Sequence, residues 1–359
     1  MTGTSLDPWT AGGNIVTQAT FGLFDWIDQS GVPLQQLYAE RLELIGAAEK
    51  AGFSAYHLAE HHGTPLGMAA SPSVFLGAVA QRTTHIRLGP LVYILPLYNP
   101  LRLIEEICIL DHLSGGRLEL GIGRGISPYE LAFFGVDPDD TSRVIFDEAL
   151  KVILTGLTSE RLTFEGQHFQ YRDVPMELRP LQQPYPPLWY PSQSPGTVDR
   201  LARGGYNFVR LGPAAMAREP VAEYWRTWEA HKGDPGRING HVAEPKVGIV
   251  RQVVVAETDD EAAALAQSAH AVWEHSILKL WHDHGDSTRD VQFSWQVAAE
   301  HETILFGSPE RVRDQVSQLL EVSGCNYVLC VFAWGNLTHQ QSMRSLRLFS
   351  EQVMPVFAG

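Results

Sequence analysis

The chain has 359 residues, 44% of them hydrophobic, enough to bury a large core. With 27 basic against 41 acidic residues its net charge is −14, which argues against nucleic acid or an anionic membrane surface as a partner, so any anionic ligand needs a local positive site. No apolar run reaches spanning length, residues 1–40 hold no Lys or Arg of a signal peptide, and Cys108, Cys325 and Cys330 fit reduced thiols, so a cytoplasmic protein without membrane segment or disulfide framework is expected.

After an N-terminal extension (1–18), ATFGLFDW (19–26) predicts a first strand. LQQLYAERLELIGAAEKAG (34–52) has the spacing of a helix with one buried face, stopped by Gly52. SAYHLA (54–59), IRLGPLVYIL (86–95) and RLELGIG (117–123) are the next strands, and NPLRLIEEICILDHLSGG is a helix ending at a Gly pair. Residues 158–187 form a polar, proline-rich excursion with a hairpin around Glu165 and Gly166. PLWYPS (187–192), NFVRLG (207–212), VGIVRQVVVA (247–256) and YVLCVFAW (327–334) complete the strands. A second excursion, 282–307, contains HDHGDSTRD, and SPERVRDQVSQLLEVSG then opens a helix on the cap Ser308, with Pro309 and Glu310 behind it. Eight strand candidates alternating with helices predict an α/β fold, a (β/α)8 TIM barrel in one domain (1–359) with loop insertions at its C-terminal face. A doubly wound open sheet is the alternative.

In such a barrel chemistry gathers where strands end. AEHH, with Glu60, His61 and His62, follows the second strand; Arg124 in GIGRG follows the fourth; QSPGT (193–197) follows the fifth. Ser194 as cap, Pro195 as first helical residue and Thr197 as third would aim N–H groups and hydroxyls at a phosphate, although an ordinary capped helix uses the same residues. A guanidinium at Arg124 suits a bidentate phosphate contact, and Gly121, Gly123 and Gly125 would admit a flat ligand. GIGRG lacks the spacing of a dinucleotide-binding turn. No metal site is expected, because adjacent His61 and His62 on extended chain face opposite ways. A histidine there is either a hydrogen-bonded structural residue or a general acid/base at the barrel mouth, and the residues alone leave both readings open.

From FGLF (21–24) to EQVMPVF (351–357) the chain resembles the bacterial luciferase-like, flavin-dependent monooxygenases, the luciferase α subunit in particular, through AEHH, LPLYNPLRLIEEICILDHLSGGR, GIGRG, FGSPERV and the terminal VMP. The resemblance implies a barrel holding reduced FMN, supplied by a separate flavin reductase, and O2-dependent oxygenation of a small, mostly apolar organic substrate. It implies that His61 lies by the flavin ring and is the catalytic residue, that Arg124, Ser194 and Thr197 hold the phosphate, that Phe24 is near the ring and that a non-proline cis peptide falls on Leu91–Val92. The luciferase cysteine under the ring is Gly123 here, and the glutamate before the serine is Gln193; both departures bear on light emission, not on flavin binding. Tyr93, Tyr129 and Trp334 are candidate substrate walls. A homodimer through early helices, including LIEEICILDHL (103–113), is also implied. The alternatives are an F420-dependent hydride-transfer enzyme on the same barrel and a non-catalytic partner subunit, against which His61 and Arg124 both speak.

Overall fold

Each of the eight expected segments contains a strand. The structure, a computed structural model, describes residues 19–357, and the expected extension at 1–18 lies outside them. In chain order the elements are β1 (Thr20–Asp25), α1 (Leu34–Lys50), β2 (Ala55–Leu58), α2 (Pro72–Arg82), β3 (Arg87–Pro90), β4 (Tyr93–Ile94), α3 (Pro100–Leu113), β5 (Leu120–Gly123), α4 (Pro128–Phe133) and α5 (Asp140–Thr158). There follow the hairpin β6 (Arg161–Glu165) and β7 (Gln170–Pro175), then β8 (Leu188–Pro191), α6 (Val198–Gly204), β9 (Asn207–Arg210), α7 (Ala214–His231), β10 (Val247–Val255) and α8 (Asp259–Asp283). The last are α9 (Asp290–Phe293), α10 (Trp295–Glu300), β11 (Ile304–Gly307), α11 (Pro309–Ser323), β12 (Tyr327–Val331) and α12 (His339–Gln352).

The strands pair in the order β3-β2-β1-β12-β10-β9-β8-β5-β4, in parallel. A bridge from Leu88 to Leu118, with Glu119 N–H donating to the Leu88 carbonyl at 2.8 Å, joins β3 to β5 and closes the ring. The result is a (β/α)8 barrel. The expected single strand at 86–95 is two pieces, β3 and β4, with the cis Leu91–Val92 peptide lying between them.

One expectation is corrected. Residues 282–307 are not only an inserted loop: they hold α9, α10 and a ninth parallel strand, β11. The physical reason lies in β10, nine residues long and buried throughout. Its first half pairs with β12 (Gly248 opposite Tyr327) and its second half with β11 (Gln252 opposite Ile304). The 158–187 excursion does contain the hairpin, with Gly166 N–H donating to the Phe169 carbonyl.

Strand alternation sorts the core into two layers. Tyr327, Leu329, Val331, Val250 and Val254 pack with Phe24, Trp189 and Trp334 inside the barrel and at its mouth. Phe21, Leu23, Ile249, Val328 and Cys330 face the helices. The helix α1 buries Leu37, Leu44, Ile45 and Ala48 on one stripe, and Gly52 beyond its end has φ +88°, where a side chain would be strained. Among the described residues no helix is long and apolar enough to cross a membrane.

Candidate active site

The segment after β2 settles what each member of EHH does structurally. Glu60 is buried and spends its carboxylate on two partners: His62 Nε2 at 2.8 Å and the backbone N–H of Ile94 at 2.9 Å. It thereby ties the β2 loop to β4. The His62 ring also packs edge-on to Phe134, 4.7 Å between centroids. His61 turns the other way, and its Nδ1 lies 2.9 Å from Glu130 Oε1. Its side chain is 14% exposed, that of Glu130 only 3%. Together with Leu66, Ile126, Ile277 and Trp281 they line a narrow cleft with a cavity volume of about 10 Å³. Glu130 was invisible to sequence reasoning; only its position on α4, capped by Ser127, brings it to His61. Among the described residues no cluster could hold a metal ion. His57, inside β2, is wholly buried between Trp189 and Tyr327, and burial, with Lys246 and Arg87 nearby, pushes it down to about 3, so it stays neutral.

Arg124 leaves β5 at the mouth. In the parallel register Gly121 faces Trp189, and Arg124 and Ser192 each follow three residues further along the two adjacent chains. Arg124 is half-buried, with no hydrogen-bond or ion-pair partner among the described residues. The helix after β8 starts later than expected. Pro195–Thr197 form a 3-10 turn, in which the Ser194 carbonyl accepts from Thr197 N–H at 3.3 Å and from its hydroxyl at 2.9 Å. That tighter closure delays the α spacing, so Thr197 is the N-cap of α6 and Ser194 is not. The Thr197 hydroxyl is also 2.6 Å from Ser192 Oγ, a residue the sequence reading passed over. Gln193 pairs its amide with the backbone of Leu211 at 2.9 and 2.8 Å, which binds the turn to the end of β9. The Ser194 hydroxyl makes no hydrogen bond among the described residues and is exposed.

The glycines of GIGRG also serve the barrel wall. A Cβ at Gly121 would stand 2.1 Å from the Pro90 carbonyl oxygen, and one at Gly123 would stand 2.6 Å from Val92 Cγ2. What they admit here is the neighbouring strand. Phe24 lies on the inner face of β1, edge-on to Trp26 at 4.9 Å, in the same cluster as Leu91 and Trp334, with Val92 against it. Tyr93 is corrected: it points into the helix layer, its hydroxyl 2.9 Å from Ser73 Oγ and its ring against Tyr98, and it lines no part of the mouth. Tyr129 sits on the rim, stacked on His284 at 4.0 Å with its hydroxyl donating to Asp286, and so fastens α4 to the segment after α8.

A buried charge network braces the mouth from the side of β1. Arg41 Nε is 3.2 Å from Asp25 Oδ2, its Nη2 donates to the Ala333 carbonyl at 3.0 Å, and Asp28 accepts from Gly335 N–H at 2.5 Å. One guanidinium thus faces two carboxylates. Burial raises both acids despite Arg41, Asp28 to about 7.

A closed parallel barrel with a histidine–carboxylate pair and an arginine without a partner among the described residues, both at the strand C-termini, has the build of a (β/α)8 enzyme. The comparisons narrow this. The chain belongs to the luciferase-like monooxygenase family, whose pattern matches residues 19–326. An uncharacterized protein of Sinorhizobium fredii, y4wF, is 38% identical over 94% of this chain and 97% of its own length. Limonene 1,2-monooxygenase of Rhodococcus erythropolis is 28% identical, covering 89% of this chain and 81% of that one. Among solved structures, the monooxygenase RslO1 from Streptomyces bottropensis superposes with a TM-score of 0.81 at 23% identity, covering 94% of this chain and 100% of that one. The oxygenating constituent of 3,6-diketocamphane monooxygenase from Pseudomonas putida, in complex with FMN, gives 0.75 at 20% identity, covering 94% and 98%.

Proposed function

We propose that this protein is the oxygenating component of a two-component flavin-dependent monooxygenase, which takes reduced FMN from a separate reductase and oxygenates a small, mostly apolar organic molecule with O2. The observation that carries the reading is Arg124, a half-buried cation without a counter-charge among the described residues, which follows β5 as the Ser192–Thr197 turn follows the adjacent β8. An anionic phosphate suits that place: a guanidinium on Arg124 and an exposed hydroxyl on Ser194 that makes no hydrogen bond among the described residues. Gln193 and Thr197 shape the turn that presents them. Phe24, Leu91 and Val92 offer an apolar seat for the ring. Trp334 and the α8 residues Trp273 and Ile277 wall the same region against water. Reduced flavin, when bound, supplies the activation of oxygen. His61 is the residue placed to hold or move a proton, at the Nε2 atom that its bond to Glu130 leaves free. The relatives' names support a flavin and an oxygenating role.

The test is an anaerobic titration with reduced FMN and, in parallel, reduced F420, followed by reductase-coupled oxygen uptake with terpene-sized substrates. Saturable binding of reduced FMN and substrate-dependent oxygen uptake are expected. Binding of F420 alone would replace this reading by hydride transfer.

A further inference from the structure

We infer that Glu130 is the positioning residue of this site, fixing the tautomer of His61 so that Nδ1 carries the hydrogen and Nε2 presents a lone pair. The inference rests on the reading above in one respect: that the His61 ring handles protons in turnover. The geometry itself is independent of it. His61 Nδ1 and Glu130 Oε1 are 2.9 Å apart, and a carboxylate accepts hydrogen bonds and does not donate them. The neutral ring therefore has its one hydrogen on Nδ1. No other hydrogen bond to the Glu130 carboxylate is formed among the described residues, although its side chain is 3% exposed. Burying a carboxylate is costly, and this one is spent on a single imidazole.

The segment that delivers Glu130 is built to hold it still. Gly125, at φ +89°, turns the chain as it leaves β5. Ser127 then accepts from Glu130 N–H at 3.3 Å, Pro128 opens α4 and Leu131 is buried beneath it. The other carboxylate of the motif behaves differently. Glu60 bonds His62 through Nε2 and a backbone N–H, a strut between two loops, and neither residue lines the cleft. Each histidine thus has its own acid, and only the His61 pair faces the cleft. Glu130 also stands six residues after Arg124, so one short rigid stretch would carry both the phosphate contact and the orientation of the proton-handling ring.

The experiment compares Glu130→Ala and Glu130→Gln with the parent protein. In Glu130→Gln the amide oxygen can still accept from Nδ1–H, so it is the conservative rescue. Nitrogen-15 NMR of the histidine ring in flavin-free protein, at a pH where the ring is neutral, should show a single Nδ1–H tautomer in the parent and in Glu130→Gln, and a mixture in Glu130→Ala. In reductase-coupled turnover Glu130→Ala should lose about 10–100-fold in kcat, the scale on which an imidazole loses function with its orienting partner, while KM and the affinity for reduced FMN stay within about two-fold. An unchanged tautomer in Glu130→Ala overturns the inference. So does an equal loss of kcat in both variants with the tautomer retained, which marks a purely structural role. If the parent neither binds reduced FMN nor consumes oxygen, the functional proposal falls, while the tautomer measurement still decides the role of Glu130.

Discussion

The hydroxyl of Tyr327 occupies the space that a side chain at Gly22 would need: a Cβ there would lie 1.8 Å from Tyr327 Oη and 2.6 Å from Cζ. The two residues sit on adjacent strands, β1 and β12, and the tyrosine fills the barrel floor, 3.3 Å from His57 Nε2. Gly22→Ala should therefore destabilise the protein by about 2–3 kcal/mol, the usual cost of overpacking. Adding Tyr327→Phe should recover only part of this, since Cζ remains. Urea unfolding of the single and double variants checks it, and additive losses would contradict the steric account.

Arg124→Ala should weaken binding of reduced FMN by about 1.5–3 kcal/mol, the scale of a charge-assisted hydrogen bond. Flavin titration of both proteins reads this directly. Unchanged affinity would place the phosphate elsewhere.

His61→Ala should leave the fold and flavin affinity close to those of the parent while lowering turnover by about 10²–10⁴, the contribution of a positioned acid or base. Chelators should not change the rate. A wild-type rate in His61→Ala would remove the residue from the chemistry.

The Asp25–Asp28–Arg41 network has a pH signature of its own. The folded state holds the Asp28 proton up to about 7, against an ordinary value of 3.8. An acid raised in the folded state contributes most at low pH, and its contribution falls as pH rises between about 4 and about 7. Asp28→Asn keeps an acceptor for Gly335 N–H but cannot titrate. The stability difference between Asp28→Asn and the parent should shift in favour of the variant across that window and level off above it. Parallel thermal melts test this; a difference independent of pH would show that Asp28 is ionised throughout.

Association is the remaining expectation. Ile109 and Leu113 on α3 are 48% and 46% exposed, and Val74 on the adjoining α2 is 75% exposed, an apolar strip on two neighbouring helices. A homodimer through this face is expected by sedimentation at micromolar concentration. Val74→Glu with Ile109→Glu should yield a folded monomer; a parent that already sediments as a monomer would refute it.

The barrel was legible because its strands are short apolar runs with turn residues between them, and because α1 and α3 carry a clear 3.6-residue stripe. What escaped the sequence was decided by contacts far along the chain. The strand β11 is four residues in a mixed segment, and nothing marks it until the spare length of β10 is in place beside it. The start of α6 depends on a hydroxyl pair between Ser192 and Thr197. Glu130 reads as an ordinary helix acid, and its partner His61 lies 69 positions away. Tyr93 failed as a mouth residue because its side chain packs into the helix layer, with its hydroxyl beside Ser73.

That β10 divides its length among three partners separates two tasks. Its lower half joins β12 on one side and β9 on the other and keeps the ring shut; its upper half carries β11, and between β10 and β11 hang α8, α9 and α10. Residues 256–303 are therefore a cassette anchored at both ends on a strand whose other half secures the barrel. Trp273 and Ile277 of α8 reach the inner cluster from this cassette. An evolving chain could exchange the cassette for one of another length or lining, and so change what the mouth accepts, without reopening the cylinder beneath it.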